Sequence, residues 1–290
     1  MCRLTLYLGS PVTLSSLLFE PDHSLIRQST HSAERREPLN GDGFGVGWYK
    51  PELHAEPAVF RSTTPAWNNR NLASLSKVVT SSCVLAHVRA ASNLSGVNEA
   101  NCHPFRYEKY LFMHNGDVGG FRDLRRALLD SVSDDAFGNV YGSTDSEHVF
   151  ALVVDELRGL EIPDPVARLA TALSRAIRRV VDLAGAYSPD EPGYLNLVLS
   201  DGQVAVASRF VYQTDDEPES LYTYRGPYPL EHCESPEGAR PRNALLVASE
   251  RLSDDPGWSA IPAKHIAVLD PAVGIRLMPI ELDAAAREAA

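Results

Sequence analysis

Tyr110-Leu111-Phe112-Met113-His114-Asn115-Gly116 is where the chain changes its period. Before it, short β-branched and aromatic runs alternate with turn residues, and Cys2–Leu8, Gly43–Tyr49, Ala58–Ser62, Val84–Arg89 and Tyr110–His114 read as strands. After it, apolar residues recur at three and four over Phe121–Ser131, Asp145–Leu157 and Val166–Ala184, which predicts helices. Ser143-Thr144-Asp145 supplies an N-terminal cap for the second of them.

Past Pro189 strands return, with Tyr194–Leu199 and Val204–Ser208 joined by a Ser200-Asp201-Gly202-Gln203 hairpin turn, followed by Tyr222–Tyr224, Ala244–Ala248 and His265–Leu269. Strands, then helices, then strands predict an α+β fold with two sheets and helices packed outside them. Periodicity does not give the strand order. The Pro-, Glu- and Gly-rich stretch 213–242 reads as a long surface loop region, and the Ala-rich tail 282–290 as a frayed helix.

The 290 residues, 44% of them apolar, are expected to form a single domain, 1–290 less Met1. With 27 Lys and Arg against 38 Asp and Glu, the formal charge of −11 argues against nucleic acid and anionic membrane as partners. Gly9-Ser10-Pro11 interrupts the first apolar run and no small-residue cleavage site follows, so a signal peptide is not expected; nor is a membrane span. Four irregularly spaced cysteines, Cys2, Cys83, Cys102 and Cys233, suit a reducing cytoplasm.

Cys2 becomes the first residue if Met1 is removed, which places a thiol and a free α-amine on one residue. Their reference pKa values lie within about a unit of each other, so either can pass a proton to the other near neutrality. The competing reading is a cysteine buried in the first strand. Asn115 and Gly116 end a strand where a side-chain amide and a backbone N–H can point together as an oxyanion hole, although Asn-Gly is also a common hairpin turn. Arg89 ends another strand, with a fork suited to a carboxylate or to an ordinary ion pair. Asp145 opens a helix, either to hold an ammonium or to cap.

Gly41, Gly43, Gly45 and Gly47 alternate in Asn40–Tyr49 without the spacing of a nucleotide-binding loop, and read as packing near the site. His87 and His103 lack the carboxylate or thiolate set of a metal centre, and no cofactor is expected.

Together, Met1-Cys2-Arg3, Asn40–Tyr49, His87-Val88-Arg89, Asn101-Cys102-His103-Pro104, His114-Asn115-Gly116 and Thr144-Asp145-Ser146-Glu147 resemble the class II glutamine amidotransferases over at least residues 1–158. Ser200-Asp201-Gly202 and Val247-Ala248-Ser249-Glu250 are similar to that family's closing strands. The resemblance implies an αββα sandwich of two antiparallel sheets. It also implies Cys2 as nucleophile, Asn115 and Gly116 as oxyanion donors, Arg89 and Asp145 on the glutamyl α-carboxylate and α-ammonium, and His103 near the substrate.

Within the family, Asn40-Gly41-Asp42-Gly43, Thr64-Pro65-Ala66-Trp67-Asn68-Asn69-Arg70-Asn71-Leu72 and Asn101–Phe105 look most like the γ-glutamyl-hydrolysing subunit of the fungal glutathione-degradation complex. That points to a small γ-glutamyl substrate, glutathione first, and to a peptidase-like protein partner. The alternatives are an ergothioneine-pathway hydrolase acting on a hercynyl-cysteine conjugate, a non-catalytic glutamine-sensing subunit, and a glutaminase partner of a separate synthase. Contacts to the leaving group are expected from the 213–242 loop.

Overall fold

The computed structural model describes residues 2–34, 39–91, 96–228 and 242–282. Its strands are β1 (Arg3–Thr13), β2 (Phe44–Trp48), β3 (Ala58–Ser62), β4 (Thr80–Val88), β5 (Phe105–Tyr107), β6 (Tyr110–Asp117), β7 (Gly193–Ser200), β8 (Ala205–Arg209), β9 (Val211–Tyr212), β10 (Tyr222–Tyr228), β11 (Arg242–Ala248), β12 (Trp258–Ala260), β13 (His265–Asp270) and β14 (Gly274–Pro279). The helices are α1 (Leu14–Leu18), α2 (Leu25–Gln28), α3 (Arg70–Leu75), α4 (Phe121–Asp130), α5 (Asp134–Phe137), α6 (Asp145–Gly159) and α7 (Pro165–Tyr187).

One sheet runs β12-β10-β11-β1-β4-β2-β3 and the other β14-β13-β8-β7-β6-β5, with β9 pairing the start of β7. Every pairing is antiparallel.

Alternation along β1 decides which face goes where. Leu4, Leu6 and Leu8 enter the core between the sheets and meet Leu111 and Met113 of β6 and Val198 of β7. Tyr7 points the other way, into a second core closed by Leu14, Leu17 and Leu18 of α1 and Leu25 of α2. A one-residue slip would exchange these faces, so the pattern fixes the register. At about 1.5–3 kcal/mol for each buried leucine, that preference is strong.

The outer face of the other sheet, including Phe112, Leu197 and Val206, packs on Phe150 of α6 and on Leu173 and Ile177 of α7. The layers are therefore helix, sheet, sheet, helix, which is the expected sandwich.

The predicted caps and turns form. Thr144 accepts the Glu147 N–H at 3.2 Å at the head of α6, and β7 turns into β8 through residues 201–204. Two local readings differ. β1 continues through Gly9-Ser10-Pro11 with a register shift between Leu8 and Val12. Asn115 and Gly116 lie within β6, opposite Asn196 and Leu195, so cross-strand pairing overrides their turn preference. In the 213–242 region the strand β10 is longer than the Tyr222–Tyr224 reading, and residues 229–241, Cys233 among them, lie outside the described residues, as does the 283–290 tail. No helix among the described residues is long and apolar enough to cross a membrane.

Candidate active site

Antiparallel pairing of β1 with β4 sets Arg3 opposite Val88, which carries Cys2 to the end of β4 next to Arg89. Arg3 holds this end of the chain down. Its Nε lies 2.6 Å from Glu250 Oε1, with both side chains almost fully buried, and its Nη1 donates to the Cys2 carbonyl at 2.9 Å. Ser32 Oγ and the Ala33 N–H also donate to the Glu250 carboxylate. A buried pair of this kind stands only when its remaining hydrogen-bonding positions are met, as they are here.

Cys2 is half-buried, and its thiol donates to the Ala90 carbonyl with S···O 3.6 Å. Burial pushes the thiol pKa up, and the nearby Arg89 guanidinium opposes that rise. Arg89 is buried, and its backbone is pinned by Arg89 N to Gly43 O at 2.8 Å and Asp42 N to Arg89 O at 3.0 Å. Asp42 Oδ2 accepts the Ala91 N–H at 2.8 Å, so the turn after β4 is fixed on both sides.

The glycine-paved strand β2 has the packing role expected of it. A Cβ on Gly45 would lie 2.1 Å from the His103 carbonyl oxygen, so only glycine admits the His103 backbone there. The His103 ring stacks on His87 at 4.1 Å, and neither of its nitrogens has a partner among the described residues. Burial holds its pKa well below the usual range, so the ring is neutral.

From the other sheet, His114 ties β6 to its neighbours through Nδ1 and Ser146 Oγ at 3.0 Å and Nε2 and Tyr194 O at 2.9 Å. Asn115 is buried, with Nδ2 donating to Ser249 Oγ at 3.3 Å and Oδ1 without a partner among the described residues. Gly116 has φ +155°, and a Cβ there would meet Tyr194 O at 1.9 Å. Asp145, the first residue of α6, accepts the Val118 N–H at 2.9 Å and the Ser146 N–H at 2.7 Å. Its carboxylate sits where the helix dipole favours negative charge.

Cys2, Arg89, His103, Gly116 and Asp145 all line one cavity of about 950 Å³. Asn115 stands immediately behind this wall, one residue before Gly116. The sequence reading did not assign a role to Ser249, whose Oγ receives both the Leu4 N–H at 3.1 Å and Asn115 Nδ2, and so joins the strand of Cys2 to the strand of Asn115. Nor did it single out Glu250, the partner of Arg3, or the α4 arginines Arg122 and Arg125; the two arginines line the cavity. Ser249 and Glu250 were visible only as the end of Val247-Ala248-Ser249-Glu250. Arg122 and Arg125 had the three-residue spacing of one helix face as their signal. Between Gln213 and Tyr228 the described residues contribute nothing to the cavity wall, so the expected leaving-group contacts are not found there.

This geometry has known counterparts. In overall fold the chain superposes on a glutamine aminotransferase class-II domain protein from Silicibacter pomeroyi with TM-score 0.66 and 29% identity, over 97% of this chain and 100% of that one. It also matches an allosteric regulatory enzyme of purine biosynthesis, TM-score 0.64 at 13% identity over 97% of this chain and 50% of that one, a likeness of fold alone. The fold is thus that of the N-terminal-nucleophile amidotransferases.

Residues 19–274 match the family model of the class-II glutamine amidotransferases, and the chain belongs to that family. It is 38% identical to the probable glutamine amidotransferase DUG3 of Saccharomyces cerevisiae over 93% of this chain and 82% of that protein. To the gamma-glutamyl-hercynylcysteine sulfoxide hydrolase of Mycolicibacterium smegmatis it is 30% identical, over 92% of this chain and 94% of the relative.

Proposed function

We propose that the chain is a hydrolase of γ-glutamyl amides that works through a Cys2 thioester, with glutathione as first substrate and the γ-Glu–Cys bond as the bond cleaved. One observation carries this reading: Cys2, Arg89, Gly116 and Asp145, drawn from two sheets and a helix N-terminus, face a common cavity. Arg89 would take the substrate α-carboxylate and Asp145 its α-ammonium, which sets the γ-carbonyl at the sulfur. His103 lies near the bound glutamyl group. The neutral ring costs no charge burial and offers two unpartnered nitrogens.

With Met1 removed, the Cys2 amine accepts the thiol proton as sulfur attacks the γ-carbon. The carbonyl oxygen takes the negative charge, with the Gly116 N–H at the cavity wall as one donor and the second Nδ2 hydrogen of Asn115, whose other hydrogen goes to Ser249 Oγ, as the other. Each donor of such a pair is worth about 10²–10³ in rate. The ammonium returns its proton to the departing amine, the C–N bond breaks, and a γ-glutamyl thioester remains. Water then attacks the thioester, releases glutamate and restores the thiol. Burial raises the thiol pKa, so the resting sulfur carries the proton that the Cys2 amine takes as attack begins.

The mycobacterial relative's name supports a second substrate, a γ-glutamyl hercynyl-cysteine sulfoxide. We further propose a cytoplasmic setting and a peptidase-like protein partner that consumes the released dipeptide. Glutamate release from glutathione, glutamine and the hercynyl conjugate tests the whole reading, with intact mass to show loss of Met1. Cys2→Ala is expected to lower release by at least about 10³-fold. Undiminished turnover by that variant, or a protein that retains methionine and is fully active, would overturn the mechanism.

A further inference from the structure

The cavity is larger than the glutamyl group requires. At about 950 Å³ it stands near the top of the range of about 300–1,000 Å³ that holds whole drug-sized ligands. Arg89 and Asp145 occupy one end of it with Cys2. Its remaining wall runs along the first turn of α4 and the segment leading into β7, where Arg122, Arg125, Glu191 and Tyr194 reach the space.

This wall is built rather than loose. A Cβ on Gly119 would fall 2.3 Å from the carbonyl oxygens of both Glu191 and Pro192, and one on Gly120, at φ +61°, would fall 2.1 Å from Ser188 Oγ. The two segments are therefore in direct contact, and the glycines are what allow it. Arg122 and Arg125, three apart, share the helix face that meets the cavity. The Arg125 guanidinium is anchored, with Nε donating to His148 Nε2 at 3.2 Å. Gly119, Gly120 and Phe121 line the cavity, so the positive end of the α4 dipole lies at the same wall.

Where the charges stand, rather than their sum, decides what fits. The cavity carries three guanidiniums, Arg89, Arg122 and Arg125, and three carboxylates, Asp117, Asp145 and Glu191. A γ-glutamyl zwitterion matches Arg89 on one side and Asp145, flanked by Asp117, on the other. That leaves two guanidiniums on α4 and two carboxylates, of which Asp117 lies beside Asp145 at the glutamyl end and the exposed Glu191 shares the α4 wall.

The geometry points to a leaving-group subsite on α4 in which Arg122 and Arg125 receive a carboxylate, so that the substrate is a γ-glutamyl peptide with a free C-terminal acid. This rests on the γ-glutamyl reading above and sharpens it. Glutamine, whose leaving group is ammonia, has nothing to place there, and the C-terminal amide of the same peptide has only a neutral group.

The test uses a diazoketone analogue of glutamine that alkylates the Cys2 thiol, followed by intact mass. Protection against labelling is measured with S-methyl glutathione, with its C-terminal amide and with glutamine. The acid is expected to protect at about tenfold lower concentration than the amide, as one charge-assisted contact supplies. In Arg122→Glu the two should protect equally, and Arg125→Ala should narrow the gap. A melting midpoint close to the parent's shows that each variant is folded, and the acid-to-amide ratio in the unmodified protein decides the matter even if one is not.

Labelling with equal protection by acid and amide overturns the subsite while leaving the Cys2 reading intact. A preference for the acid that survives both substitutions overturns the assignment to α4. Failure of the analogue to label Cys2 overturns the γ-glutamyl reading, and the subsite falls with it.

Discussion

The floor and the rim of the cavity are built by opposite means. On the floor, Arg89, His103, His114 and Asn115 are each no more than 3% exposed, and every one is held by strand ends, ring stacking or a buried hydrogen bond. On the rim, Arg122 and Glu191 stand in solvent on a helix turn and a loop. The floor fixes one geometry for one carbonyl, which chemistry demands. The rim can change its side chains at little cost to folding, so contacts to the departing group can vary without disturbing the reacting centre.

The sharpest way to break this contrast is on the floor. Gly116→Ala places a Cβ 1.9 Å from the Tyr194 carbonyl, so either β6 or β7 must move. The alanine keeps its N–H, but shifting that donor off the oxyanion predicts a fall of up to about 10²–10³ in kcat, measured as glutamate release at saturating substrate. Activity within a few-fold of the parent would show that Gly116 is not part of the reaction.

Behind the floor, Glu250→Ala removes the partner of Arg3 in a dry site and is expected to destabilise by about 3–5 kcal/mol in urea unfolding. Pairing it with Arg3→Met should recover part of that loss, since an apolar replacement of both partners leaves no stranded charge. If the double variant is as unstable as the single one, the Arg3 contacts to Cys2 O and Ser32, rather than the charge pair, hold the chain end.

The floor was also the more legible half. Leu4, Leu6 and Leu8 alternate cleanly, and Thr144 before Asp145 is local cap chemistry, so β1 and α6 could be read from short windows. β5, β9, β12 and β14 were missed for the opposite reason: they are two to six residues long, and β14 is exposed at most of its positions, leaving no alternation to read. The four- to six-residue helices α1, α2, α3 and α5 are too short to show a period.

In the site, Cys2 precedes β1, Arg89 follows β4 and Asp145 opens α6, each next to polar neighbours, and that marks them in the sequence. Ser249 acts by bridging Leu4 and Asn115, which stand 245 and 134 positions away from it. No local pattern encodes such a bridge. Asn115-Gly116 shows the same limit from the other side, since its turn preference is local and the pairing with β7 that overrides it is not.

Acid should separate the regions as well. Burial pushes His87 down to about 3, against an unfolded value of about 6.5, and holds His103 low in the same way. Between those values the unfolded chain binds more protons than the folded one, so stability falls as pH drops below about 6.5. At pH 5 His87 alone should cost about 2 kcal/mol, seen as a lower urea midpoint than at pH 7.5. His87→Gln should flatten part of that slope, and a slope indifferent to the substitution would remove the buried ring as its source.

The smallest effect belongs to the rim. Glu191→Gln takes a negative charge from the cavity mouth that Arg122 shares, and Glu191 is exposed with no side-chain partner among the described residues. Stability should stay within about 0.5 kcal/mol of the parent, as for most surface changes. Less repulsion of an anionic leaving group should lower KM for the free-acid peptide by about twofold to fivefold at low salt, the range of an exposed charge pair. Raising the ionic strength should erase the gain, because a Debye length near 10 Å at about 0.1 M screens charges in solvent and not those on the floor. A loss of kcat comparable to that of Gly116→Ala would mean that the rim takes part in the chemistry, and the division between a buried, fixed floor and an exposed, adjustable rim would have to be abandoned.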